Sequence, residues 1–132
     1  MSISYARDDS RRLITVTFDG PFSLRDTVAT LDRQAAEGTW PYARLYDQRR
    51  LDPPPSSNEI RVVLEAVRAR IREHGPRGPV AILTDQPVVY GTVRQYMLLA
   101  DDEPSVALFR DAEEAERWLA EHGHGETPGQ EA

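Results

Sequence analysis

At 132 residues with 39% hydrophobic content, the chain holds enough apolar material for one hydrophobic core and is too short for two, so a single domain over residues 1–122 is expected. There is no cysteine, which excludes disulfides, thiolate metal sites and a cysteine nucleophile. Residues 1–100 carry 14 arginines against 12 acidic residues and residues 101–132 carry 2 against 10, a balance with no basic footprint for nucleic acid or an anionic membrane.

The amino terminus, MSISYARDDSRR, has no apolar segment of the kind a leader peptide needs, and no apolar run approaches the length of a spanning helix. A cytoplasmic location is the resulting expectation. Ile3 to Ala6 reads as a short strand, and Arg12 to Phe18, rich in β-branched and aromatic residues, as a second strand paired with it in a hairpin. Asp19-Gly20-Pro21 breaks the pattern. Ser23 then caps a helix with Leu24, Val28, Leu31 and Ala35 on one face and Asp26 at the third helical position, and Gly38 ends it.

Tyr42 to Tyr46 alternates as a strand, followed by a charged turn at Asp47-Gln48-Arg49-Arg50 and the stiff segment Pro53-Pro54-Pro55. The capping box Ser56-x-x-Glu59 opens a helix whose buried stripe is Ile60, Val63, Leu64, Val67 and Ile71. After the turn Gly75-Pro76-Arg77-Gly78-Pro79, the apolar run Val80 to Thr84 suits a central strand buried on both faces. Pro87 fits a first helical position, with Val89, Val93, Met97 and Ala100 inward until Asp101-Asp102-Glu103-Pro104. Val106 to Phe109 is the last strand, and Asp111-x-x-Glu114 opens a final helix with Ala112, Ala115, Trp118 and Leu119 inward, ending at His122-Gly123. Residues 123–132 read as a disordered acidic tail.

The order is therefore ββαβαβαβα: an α/β domain with a mixed, mostly parallel five-stranded sheet, one antiparallel edge and four helices. At this point the residues resemble a known group. The hairpin with RLITVTFDGP, the strand WPYARLYD, the serine-started second helix, the strand PVAIL and the closing VALFRDAEEAERWL are similar to bacterial STAS-like, or SpoIIAA-like, domains over residues 3–122. That resemblance implies the fold, and a small regulatory, non-enzymatic module. In the family's antagonists of anti-sigma factors, the regulatory serine starts the helix after the central strand, within a D-S-x-G turn. The counterpart here is Pro55-Ser56-Ser57-Asn58, which lacks both the aspartate and the glycine.

Two readings of Ser56 and Ser57 follow. As caps they satisfy orphan amides of the helix; as phosphoserines they would sit at a positive helix end beside Arg49 and Arg50. A ligand crevice is the other candidate site. Asp47 and Gln48 at one strand's carboxyl end and Thr84 and Asp85 at the next border the position where open parallel sheets collect ligands, with Tyr46 and Tyr90 as walls. The bland alternative is turn chemistry for Asp47 and Asp85 and ordinary core or rim for Tyr46, Tyr90 and Tyr96.

His74, His122 and His124 lie at helix ends or in the tail without a metal-ligating spacing, and Arg61, Glu65, Arg68 and Arg72 form a polar stripe that reads as a solvated face, with a partner-docking face as the alternative. No phosphate-loop, hydrolase or metal motif is present. The expectation is a regulatory or protein-interaction module, with a homodimer or another protein as partner and no metal or cofactor. A binder of a small apolar or anionic ligand is the alternative.

Overall fold

The structure is a computed structural model and describes residues 2–100 and 106–122. Its elements run β1 (Ser2–Asp8), β2 (Leu13–Gly20), α1 (Leu24–Ala36), β3 (Ala43–Leu51), α2 (Ser57–His74), β4 (Val80–Leu83), α3 (Pro87–Leu99), β5 (Val106–Phe109) and α4 (Ala112–His122). This is the expected order. The strands lie side by side in sequence order, with β1 antiparallel to β2 and every later neighbour parallel. β3 therefore holds the middle of the sheet, and β4, expected there, sits one place along with all four residues buried.

That strand order decides where the helices go. Stepping the same way across a sheet with right-handed crossovers puts α1, α2 and α3 on one face. Val16, Phe18, Val80 and Ile82 of the sheet accordingly pack with Val89 and Val93 of α3, and Leu31 of α1 with Val67 of α2. α4 returns to the other face, where Ala115 and Leu119 cover Leu13, Ala43, Leu45, Ala81 and Leu83. Among the described residues no helix is long and apolar enough to cross a membrane.

The stretch Asp47–Arg50, expected as a charged turn, is strand instead. Asp47 pairs its charge sideways, accepting from the Arg49 backbone and guanidinium, while Arg50 and Leu51 continue the ladder opposite Asp19 and Gly20. A register shift between Thr17 and Asp19 marks a bulge, which moves the odd-numbered Leu51 onto the same packed face as Val16 and Phe18. β1 also extends beyond the expected Ile3–Ala6.

The helix starts follow their sequence signals. The Ser23 hydroxyl accepts from the Asp26 amide at 3.2 Å, and Ser56 and Glu59 make both bonds of the capping box. Asp111 caps α4 by accepting from Glu113 N. The acidic stretch 101–104 and the tail 123–132 lie outside the described residues.

Candidate functional site

The carboxyl ends of β3 and β4 come together as the sequence suggests, but a side chain fills the gap. Gln86 donates from Nε2 to the Arg49 carbonyl at 2.5 Å and to the Leu51 carbonyl at 3.2 Å, tying the two strand ends together. Thr84 is fully buried; its amide bonds the Phe109 carbonyl and its hydroxyl accepts from Gln86 N. Asp85 is exposed. Tyr90 packs its ring under the Arg110 guanidinium, 4.3 Å away. Asp47 faces away from Tyr46 and Gln48 by strand alternation, and the Arg49 fork holds its carboxyl below the usual carboxylate range against the opposing effect of partial burial.

Ser56 and Ser57 are exposed at the start of α2. The Ser56 hydroxyl caps Glu59 N, and Ser57 Oγ accepts from Gln95 Nε2 at 3.0 Å, joining α2 to α3. The arginines expected beside them have other partners: Arg49 holds Asp47 at 2.7 Å and Arg50 holds Asp19 at 3.1 Å.

Two of the six crevice residues, Tyr46 and Gln48, line a different space. Between the sheet and α1–α3 lies a cavity of about 90 Å³, partly open to solvent. Its floor is Val16 and Phe18 of β2, Tyr46 and Gln48 of β3 and Val80 and Ile82 of β4, all on the helix-covered face. Leu31 of α1, Ile60, Val63 and Val67 of α2 and Val93 and Tyr96 of α3 form the roof. Such a space survives because three helices spanning a twisted sheet meet over its middle strands without a large side chain aimed into the seam. Among the described lining residues there is no carboxylate.

The polar groups collect at one end. Parallel strands run from the Arg77–Val80 end toward the Gln48 end, and α2 and α3 run back, so Val67 and Tyr96 lie near Arg77 while Ile60, Phe22 and Pro55 lie near Gln48. Arg77 is buried and donates from Nη2 to the Tyr96 hydroxyl at 3.3 Å. The Tyr46 hydroxyl accepts from Gln34 Nε2 at 3.3 Å. Burial pushes the Tyr46 phenol up, but the fields of Arg44 and Arg77 and the hydrogen bonds from Gln34 and Arg44 outweigh it and hold the phenol below its ordinary range.

Behind Tyr46 stands Arg44, which the sequence pattern did not single out. It has no exposed surface, lies over the Trp40 ring, bonds Gln34 Oε1 and the Trp40 carbonyl, and donates to the Tyr42 carbonyl at 3.0 Å. Its signal in the sequence is position: an arginine between Ala43 and Leu45, in the same alternation as Tyr42 and Tyr46. The histidines stay apart from the cavity. His74 lies beside Trp40, His122 stacks on Trp118, and His124 is outside the described residues; no described cluster of three acidic or histidine side chains is placed to hold a metal.

An α/β sandwich of this order, with three helices on one face and one on the other, has the STAS-like, or SpoIIAA-like, fold. The chain is similar to the solved structure of the anti-sigma factor antagonist SpoIIAA in its unphosphorylated form, with a TM-score of 0.57 and 16% identity over 90% of this chain and 98% of that chain. Neither a protein-family model nor a curated protein sequence matches it.

Proposed function

We propose that the chain is a non-enzymatic regulatory module that works by binding, and that it holds a small apolar ligand between the sheet and α1–α3. The cavity carries this reading: concave, lined chiefly by aliphatic and aromatic side chains, and with few polar groups gathered at one end, it has the make-up of a small-molecule site. Burial of apolar ligand surface there supplies affinity at roughly 25 cal/mol per Å² before the entropic cost of binding. The test is thermal unfolding of the full chain against a library of small apolar molecules. A true ligand at a hundredfold excess over its dissociation constant adds about 2.7 kcal/mol of stability, and Val63→Phe, which narrows the cavity, abolishes the effect. A library without one stabilising member overturns the proposal.

A second reading, docking of a protein partner through the surface from Asp47 to Glu59, draws on the likeness to an anti-sigma factor antagonist and on the exposure of Ser56 and Ser57 at a helix start. The commitment of Arg49 and Arg50 to carboxylates weighs against a phosphoserine switch there. Ser56→Asp, Ser57→Asp and Arg49→Ala changing nothing in a partner screen or in self-association would remove this reading.

A further inference from the structure

Most polar side chains of the cavity are spent on the protein itself. Three are threonines, and each hydroxyl is turned back to its own helix: Thr27 bonds the Ser23 carbonyl at 2.8 Å, Thr30 the Asp26 carbonyl at 3.0 Å and Thr92 the Val88 carbonyl at 3.1 Å. The Tyr46 hydroxyl is held by Gln34, and Arg77 and Tyr96 hold each other and make further contacts besides. Gln48 differs. It is half-buried at the end near Phe22 and Pro55, and its side-chain amide has no hydrogen-bond partner among the described residues. The strand is bent where it stands: between the pairs Thr17–Asp47 and Asp19–Arg50, β2 has Phe18 alone while β3 has both Gln48 and Arg49. Such a bulge re-aims a side chain.

Resting on the reading of this cavity as a ligand site, we infer that its ligand is an uncharged amphiphile, with a hydrocarbon body along Val16, Phe18, Ile60 and Val63 and a hydroxyl or amide head paired with Gln48. A side-chain amide offers donors and an acceptor together, and a hydroxyl or a second amide answers both. A carboxylate answers only the donors and an ammonium only the acceptor. Either ion would also give up its water at an end where the neighbouring arginines are on carboxylates already, Arg49 on Asp47 at 2.7 Å and Arg50 on Asp19 at 3.1 Å. At the adjoining start of α2, Ser56 takes the amides of Glu59 and Ile60, so these do not receive an anion. Gln86 likewise takes the Arg49 and Leu51 carbonyls, which leaves the Gln48 amide to the ligand.

The direct test is titration calorimetry of the full chain with octanol, octanoate, octylammonium and toluene, the last an apolar probe without a head group. Octanol should bind about tenfold or more tightly than either ion. In Gln48→Leu, octanol affinity falls about fivefold, the size of a neutral hydrogen bond, while toluene affinity is kept. Gln48→Glu, which keeps the shape and supplies a negative charge, moves the preference to octylammonium. Octanoate or octylammonium binding the wild-type chain as tightly as octanol overturns the head-group inference, and so does Gln48→Leu binding octanol as the wild type does; in both cases toluene binding leaves the cavity reading standing. Silence toward all four removes both. The wild-type comparison decides even where a Gln48 variant does not fold.

Discussion

Arg44 and Gln34 meet in the interior with no exposed surface on either, the guanidinium bonding the amide oxygen while the amide nitrogen donates to the Tyr46 hydroxyl at 3.3 Å. The pair joins α1 to the middle strand, and the other arm of Arg44 satisfies carbonyls of the Thr39–Tyr42 connection. An arginine in this role is a set of donors for backbone that no strand or helix could pair.

Arg44→Met keeps much of the volume and removes all of those donors. Losing the donors to the Gln34 side-chain oxygen and the Tyr42 carbonyl, together with the second bonds to the Thr39 and Trp40 carbonyls, is expected to cost about 3 kcal/mol. Urea unfolding measures it; a loss under about 1 kcal/mol would show that the interior relaxes around the change.

Two glycines should respond in opposite directions to alanine. At Gly78 an added Cβ would sit well inside contact distance of the Tyr42 and Pro41 carbonyl oxygens, while at Gly91, within α3, it meets nothing within 4 Å. Gly78→Ala is expected to destabilise by about 2 kcal/mol or more, and Gly91→Ala to stabilise by about 0.5–1 kcal/mol through the better helix propensity of alanine. Thermal unfolding of the two variants side by side tests both signs.

Ser56→Ala removes one half of a reciprocal cap and should cost about 1 kcal/mol, whereas Ser56→Asp preserves an acceptor at a helix start and should cost little. A Ser56→Ala variant as stable as the parent in chemical unfolding would mean that the cap contributes nothing.

Stability should fall in acid. Asp47 is held low by Arg49 against burial, Asp9 by the Tyr42 hydroxyl and Arg7, Asp8 chiefly by Ser10, and Glu37 by Arg33 and Arg7. Each is a carboxyl whose folded pKa lies below its unfolded value. Its contribution is therefore complete above about pH 4–5 and is lost as pH falls through the folded value. Unfolding free energy measured from pH 7 downward should be level to about pH 5 and decline below about pH 4, and Asp47→Asn should flatten part of the decline. A level curve across the acid range would contradict these assignments.

Much of the fold was legible because periodicity and punctuation agree along the chain. The stripe Ile60-Val63-Leu64-Val67 and its Ser56–Glu59 box define α2 before any tertiary contact, and the four-residue run of β4 announces burial on both faces. The bulge was not legible, since Asp47-Gln48-Arg49-Arg50 has turn composition and it is tertiary pairing, of Asp47 with Thr17 and Leu83 and of Arg50 with Asp19, that keeps it extended. The candidate site was partly legible. Read from the carboxyl ends of the strands, the six crevice residues divide: Tyr46 and Gln48 line the cavity under the helices, while Asp47, Thr84, Asp85 and Tyr90 do not, and Gln86 reaches across to the Arg49 and Leu51 carbonyls.

Arg77 was hidden by its setting. Gly75-Pro76-Arg77-Gly78-Pro79 reads as a solvated turn, yet Gly78 lets the segment press onto Pro41 and Tyr42, where its amide bonds the Trp40 carbonyl at 3.1 Å. The neighbouring Arg77 is buried and lies at the end of the cavity.

The most direct test of the central claim is a methyl-resolved NMR titration of the full chain with octanol. Binding in the cavity predicts saturable shifts confined to the methyls of Val16, Leu31, Ile60, Val63, Val67, Val80, Ile82 and Val93, with Leu45, Leu83 and Leu119 on the α4 side unmoved. No saturable shift, or shifts spread equally over both faces of the sheet, would contradict it.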